Sequence, residues 1–295
     1  SVYDDQGNKW IDMTSGIFVT NAGHSNPKIN QAIKDQIDAD LTFGYQYNTD
    51  IRVDFLEKLL QISPSHFEKA VLLNSGSEAT DAAYRLIKLW AKKNNKKYII
   101  TFEGSYHGRV LGSDLIGGTP NSTAWSNVVD DDICFLSFPK DGEELDIDKL
   151  PPLDEIAAFF LETYQGWGAL FYPQKYIDKL YKIAKENNIL FCFDEVQSGF
   201  YRMGPLYGYM TYGDYEPDII TVGKGLTSSL PLSAVLSTKD IIDIDIKANL
   251  SSTHAGNSLC CAAGLANLEF LTDESFQEDF KRRARLFEKL NKELE

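Results

Sequence analysis

Two stretches decide the fold: ILFCFDEVQSGF, Ile189 to Phe200, and PDIITVGKGL, Pro217 to Leu226. Each contains a short run of β-branched, aromatic or other large residues, apolar but for Thr221. That is the composition of a strand covered on both faces. Each run then meets a reactive side chain. Asp194 follows Ile189–Phe193, and Lys224 stands between Gly223 and Gly225 after Ile219–Val222.

Working outward, the same alternation recurs from Lys69 onward. Strands are expected at Ala70–Leu73, Tyr98–Phe102, Ala157–Leu161, Ile189–Phe193, Ile219–Val222 and Ala234–Leu236. Helices are expected at Ser77–Lys92, Pro173–Asn187 and Leu259–Leu271. This order predicts an α/β fold with one mostly parallel, doubly wound sheet. Upstream, Tyr3–Met13 reads as a small hairpin turning at Asp5–Asn8. Ile29–Leu41 and Asp50–Ile62 carry apolar residues at helical spacing. After Leu271 a new stripe, Phe276, Phe280, Ala284, Phe287 and Leu290, reads as the first helix of a further domain. Both chain ends read as interrupted elements.

Ligands of open parallel sheets bind beyond the carboxyl ends of the strands. After Ala70–Leu73 comes NSGSEA, Asn74–Ala79, whose small residues let backbone N–H groups close on an oxyanion at a helix start. A serine-capped helix with no ligand accounts for the same residues. After Tyr98–Phe102, EGSYHG (Glu103–Gly108) places an aromatic where it can lie against a planar ligand; a packed tyrosine and a hydrogen-bonded histidine are the plain alternative. Glu162 opens the glycine-rich ETYQGWG, and a solvated carboxylate is its plain alternative. Asp194 leaves an all-apolar strand and is expected to be partly buried, which requires a cation or strong donors; capping the next turn is its other reading. A lysine flanked by glycines at the end of an apolar strand gains nothing as a surface residue. Desolvated, it has a lowered pKa and can form a Schiff base with a carbonyl. Phosphate cradle, planar aromatic, buried acid and desolvated lysine together are what pyridoxal 5'-phosphate requires.

Composition narrows the classes. The chain has 295 residues, 29 basic and 43 acidic, for a net charge of −14. That surface repels phosphate backbones and anionic lipid, so neither nucleic acid nor membrane is expected as a partner. The basic runs Lys92–Lys97 and Lys281–Arg283 read as solvated helix charge. Four cysteines without a CxxC pair fit reduced thiols in the cytoplasm. No metal site is expected.

The stretches NAGHSNPKINQAI, NSGSEATDAAYRLIK, FEGSYHG, ETYQGWGA, DEVQSGFYRMG, PDIITVGKGLTSSLPLSAV and STHAGNSLCCAAGLA resemble, in this order, the class III pyridoxal-phosphate aminotransferases, the ω-aminotransferase group of fold type I. The resemblance implies a three-layer αβα large domain over 46–271, an N-terminal segment over 1–45, and over 272–295 the start of a truncated C-terminal small domain. It implies a transaminase that moves an amino group from an amine or amino acid donor to a keto acid in two half-reactions. Lys224 would hold the cofactor covalently. Asp194 would pair with the pyridine nitrogen, Gln197 would approach the ring oxygen, and Val196 and Tyr106 would pack on the two ring faces, with His107 beside Tyr106. Gly76 and Ser77 would bind the phosphate, and Glu162 would stand near the cofactor. Thr253 would reach the phosphate of a neighbouring subunit, which implies a homodimer. An aminomutase or decarboxylase of the same family, or a non-catalytic scaffold or regulatory binding protein of this fold, remain the alternatives. The sequence departs from the family's pattern at Thr163-Tyr164 and at Trp167. Trp167 stands where many members have a glutamate that pairs with a gating arginine, and it implies a preference for donors with an apolar or aromatic portion.

Overall fold

A computed structural model describes residues 1–45, 47–120 and 123–294. Its central sheet has seven strands: β1 Lys69–Leu73, β2 Tyr98–Phe102, β3 Ile133–Leu136, β4 Ile156–Glu162, β5 Leu190–Asp194, β6 Ile219–Val222 and β7 Ser233–Ser237. Their order is β1-β7-β6-β5-β4-β2-β3. β7 is antiparallel to both of its neighbours, and the remaining pairs are parallel. Six of these strands match the expected ones to within about a residue at each end. β3 was not expected. It has four residues behind the acidic run Asp130–Asp132, and it lies at the sheet edge with Phe135 41% exposed.

Side chains alternate across the strands and supply two cores. Phe159, Leu161, Phe191, Phe193, Ile220 and Val222 enter one. Ala158, Phe160, Leu190, Cys192, Ile219 and Val235 enter the other. Helix α3, Gly76–Lys93, brings Ala79, Ala82, Ala83, Leu86 and Ile87 to the second core. Helix α4, Gln174–Glu186, brings Tyr176, Ile177, Leu180 and Ile183 to the first. Each large side chain so buried stabilises the fold by about 1.5–3 kcal/mol. Three layers result.

Helices α1, Pro27–Asp38, and α2, Asp50–Ile62, pack on α5, Ser258–Thr272, which is apolar nearly all round and accordingly buried. A Cβ on Gly264 would fall 2.6 Å from the Phe55 ring, so only glycine permits this approach of α5 to α2. The N-terminal hairpin pairs Val2 with Trp10 and Tyr3 with Lys9, as expected. Helix α6, Glu274–Leu294, follows α5 directly; Phe276 packs on Phe270, while Phe287 and Leu290 are exposed. One member of the basic runs differs from expectation. Lys96 donates to the carbonyls of Ile156 and Asn187, both at 3.0 Å, and so ties two chain segments at the lower sheet edge. No helix among the described residues is long and apolar enough to cross a membrane, and all four cysteines are free.

Candidate active site

β4, β5 and β6 end side by side. Their register sets Glu162 beside Asp194 and Asp194 beside Thr221. Three polar residues thus stand abreast at the end of three apolar strands.

Asp194 is 5% exposed. Its Oδ1 accepts from Thr221 Oγ1 and from Val196 N, each at 3.0 Å. Its Oδ2 lies 2.8 Å from His107 Nδ1. The cost of burying this carboxylate is offset by three local donors rather than by contact with a lysine. The His107 ring is fully buried, sits edge-on to Phe160 at 4.8 Å, and leaves Nε2 without a partner.

Lys224 begins the tight turn Lys224–Leu226 that leaves β6. Its φ is +38°, in the left-handed region that an L side chain adopts only under constraint. Its Nζ donates to Gln197 Oε1 at 3.2 Å. Burial pushes the Lys224 amine below the ordinary lysine range; Asp194 and Glu162 oppose that shift, and Arg202 adds to it. Gln197 Nε2 donates in turn to the Tyr164 hydroxyl at 2.9 Å. A Cβ on Gly166 would lie 2.9 Å from Gln197 Oε1, so this glycine makes room for the amide.

Glu162 accepts from Tyr106 N at 3.1 Å and Gly166 N at 3.3 Å. Burial pushes its carboxyl up to about 7, with Asp194 adding and His107 opposing.

At the start of α3, Ser75 is the N-cap and Glu78 completes a capping box. That leaves Gly76 and Ser77 as first helical residues at the positive end of the helix, beside the cavity. A Cβ on Gly76 would fall 2.6 Å from Val196 Cγ1. Ser77 Oγ accepts from Arg109 N at 3.1 Å.

One cavity is lined by Gly76, Ser77, Tyr106, His107, Glu162, Asp194, Val196, Gln197 and Lys224. Nine residues named from the sequence therefore meet in one place. Two do not line it. Trp167 is 71% exposed on the hairpin between Tyr164–Gln165 and Leu170–Phe171. Thr253 is exposed in the turn before α5. The cavity also includes Tyr164, Gly108 and Ser198, which the sequence did not single out as site residues. Thr221 was missed as well, although it is the one polar residue of β6 and stands three positions before Lys224. Glu195 gave no signal beyond its place next to Asp194. It is fully buried and accepts from Thr163 Oγ1, Ser198 Oγ, Gly208 N and Tyr209 N, tying the segment after β5 to the end of β4.

The donor set fits pyridoxal phosphate. The first residues of a capped helix, a buried carboxylate held by local hydrogen-bond partners and a desolvated amine all open onto the same cavity. Fold and site together define an α/β enzyme of the pyridoxal-phosphate type. The family model for aminotransferase class-III matches residues 1–295, and the chain belongs to that family. It is 34% identical to isoleucine 2-epimerase of Lentilactobacillus buchneri, over 94% of this chain and 66% of that protein. It is 32% identical to ornithine aminotransferase 2 of Staphylococcus aureus, over 92% of this chain and 69% of the relative. The fold matches taurine:2-oxoglutarate aminotransferase of Bifidobacterium kashiwanohense, solved with PLP and glutamate, with a TM-score of 0.86 at 22% identity, over 97% of this chain and 69% of that one. The chain thus spans about two thirds of the length of the curated relatives it matches.

Proposed function

We propose that the protein is a transaminase, moving an amino group from an amine or amino acid donor to a keto acid acceptor in two half-reactions. The observation that carries this reading is the convergence of Lys224, Asp194 and the start of α3 on one cavity. Residues 46–271 form its cofactor domain, 1–45 an N-terminal segment, and 272–295 the start of the small domain.

Bound pyridoxal phosphate supplies an electron sink that makes the C–H bond beside the donor's nitrogen acidic. The chain supplies the rest. Lys224 would anchor the cofactor covalently, and its Nζ would carry a proton to and from the reacting carbon. Burial lowers its basicity, which eases release of the proton it takes up. Asp194 would hold a proton on the ring nitrogen, and His107 and Thr221 keep Asp194 in place. Gly76 and Ser77 would hold the phosphate, and Val196, Tyr106 and Gln197 would hold the ring. Glu162 fixes the Tyr106 backbone.

A homodimer with Thr253 serving the neighbouring site is part of the same reading; the exposure of Thr253 and its place outside its own chain's cavity support it. The free thiols support a cytoplasmic setting. The test is an assay of the complete protein with a panel of amine donors and keto acids. Stoichiometric transfer to a separate keto acid is the expected result. Inversion of the donor without transfer, the activity for which the Lentilactobacillus relative is named, would replace this reading with an epimerase.

A further inference from the structure

The turn that carries Lys224 is held from behind by a residue with no place in the cavity. Asn267 lies on α5, among Cys260, Ala263, Leu268 and Leu271, all buried. An apolar residue would be ordinary there. Asparagine is a poor helix former, and a buried amide is costly unless bonded. Asn267 is 0% exposed and leaves Oδ1 unpartnered. It spends Nδ2 on two bonds: to the carbonyl of Gly225 at 2.8 Å and to that of Leu226 at 3.0 Å. These are the two residues that follow Lys224.

The other side of the turn is also occupied. Asn21 Nδ2 donates to Phe200 O at 3.1 Å, and a Cβ on Gly225 would lie 2.8 Å from that nitrogen. Ala22 N donates to Ser228 Oγ at 3.0 Å. Between these supports Lys224 keeps its φ of +38°. A left-handed L residue persists only where its surroundings over-determine it.

We infer that Asn267 is a positioning residue for Lys224, fixing the carbonyls of Gly225 and Leu226 so that the strained turn aims the amine into the cavity. The inference rests on Lys224 being the reacting amine. It is read from the titration of Lys224 itself, so it can fail while the transaminase reading stands. Asp194, Glu162 and Arg202 are the charged groups that act on that amine, and none of them is altered in the variants.

The experiment uses the complete protein stripped of cofactor. Formaldehyde and cyanoborohydride methylate Lys224, and peptide mass spectrometry reads the rate against pH. Asn267→Leu removes both donors at similar volume, and Asn267→Ala repeats the test in the best helix former. Leu268→Ala, a buried neighbour on α5 that bonds nothing in the turn, is the packing control. With the turn released, the amine gains water. The midpoint of its rate–pH curve should move up toward the ordinary lysine value in both Asn267 variants, and pyridoxal phosphate should bind about tenfold more weakly. Leu268→Ala should lower the melting temperature and leave the midpoint in place. An unmoved midpoint in either folded Asn267 variant, or an equal shift in Leu268→Ala, overturns the inference.

Discussion

The floor of the cavity and its rim are built differently. The floor is Glu162, Asp194 and Lys224, carried at the ends of three parallel strands whose register also sets the buried Thr221 beside Asp194, and sealed by two cores. The rim is the short hairpin Tyr164–Phe171, two residues per strand, with Trp167, Leu170 and Phe171 exposed. On the floor, a side chain cannot change its place without moving a strand. On the rim, a side chain can change with little cost to the fold. Chemistry should therefore be fixed by the floor, and choice of substrate tuned at the rim.

The largest effect expected is on the floor. Lys224→Ala removes both the covalent anchor and the proton carrier, and turnover should fall by at least about 10⁴-fold. Wild-type-like turnover would break the comparison outright. Asp194→Asn keeps the shape of the site but not the charge. A loss of at least about 10²-fold in kcat is expected, measured with saturating cofactor. A near-normal rate would make Asp194 a support for His107 and Thr221 and nothing more.

Glu162 sharpens the same contrast through stability. Burial raises its folded pKa to about 7 from 4.5. A carboxyl raised in this way favours the fold below its unfolded pKa, and the contribution is lost as pH rises through the folded value. Relative to Glu162→Gln, the cofactor-free protein should therefore lose up to roughly 3 kcal/mol between pH 4.5 and pH 8. Denaturant midpoints at the two pH values check this; a difference that is flat with pH would mean that Glu162 is hydrated.

The smallest effect belongs to the rim. The exposed Trp167 indole offers apolar surface and can stack on a cation for about 0.5–2 kcal/mol. Trp167→Glu should shift kcat/KM ratios by about 2- to 30-fold, away from aromatic donors and toward small dicarboxylic partners such as glutamate, with kcat for the best donor little changed. Unchanged ratios across a donor panel would reduce Trp167 to surface.

The same division governs what was legible in the sequence. Strands buried on both faces announce themselves as apolar runs, so β4, β5 and β6 and the residues at their ends could be read directly. β3 was not read: it is a four-residue run directly behind the acidic Asp130–Asp132. Asp194 was readable as a buried anion, but its partners were not. His107 reaches it from the segment after β2 and Thr221 from β6, across separations that no local pattern records. Tyr164 was noticed only as a departure from the family's pattern. Its bond to Gln197 depends on how the hairpin folds over the strand ends. Asn267 is 43 positions from Lys224 and looks like one polar residue in an apolar helix until α5 is packed against the turn.

The central claim is that this cavity holds pyridoxal phosphate on Lys224, and borohydride treatment of the cofactor-loaded complete protein tests it most directly. Reduction fixes the cofactor to whichever amine carries it, and mass spectrometry of the digested protein locates the added pyridoxyl group. The account predicts bleaching of the yellow protein and a single labelled peptide containing Lys224. A label on another lysine, or none on a protein that had bound the cofactor, would contradict it.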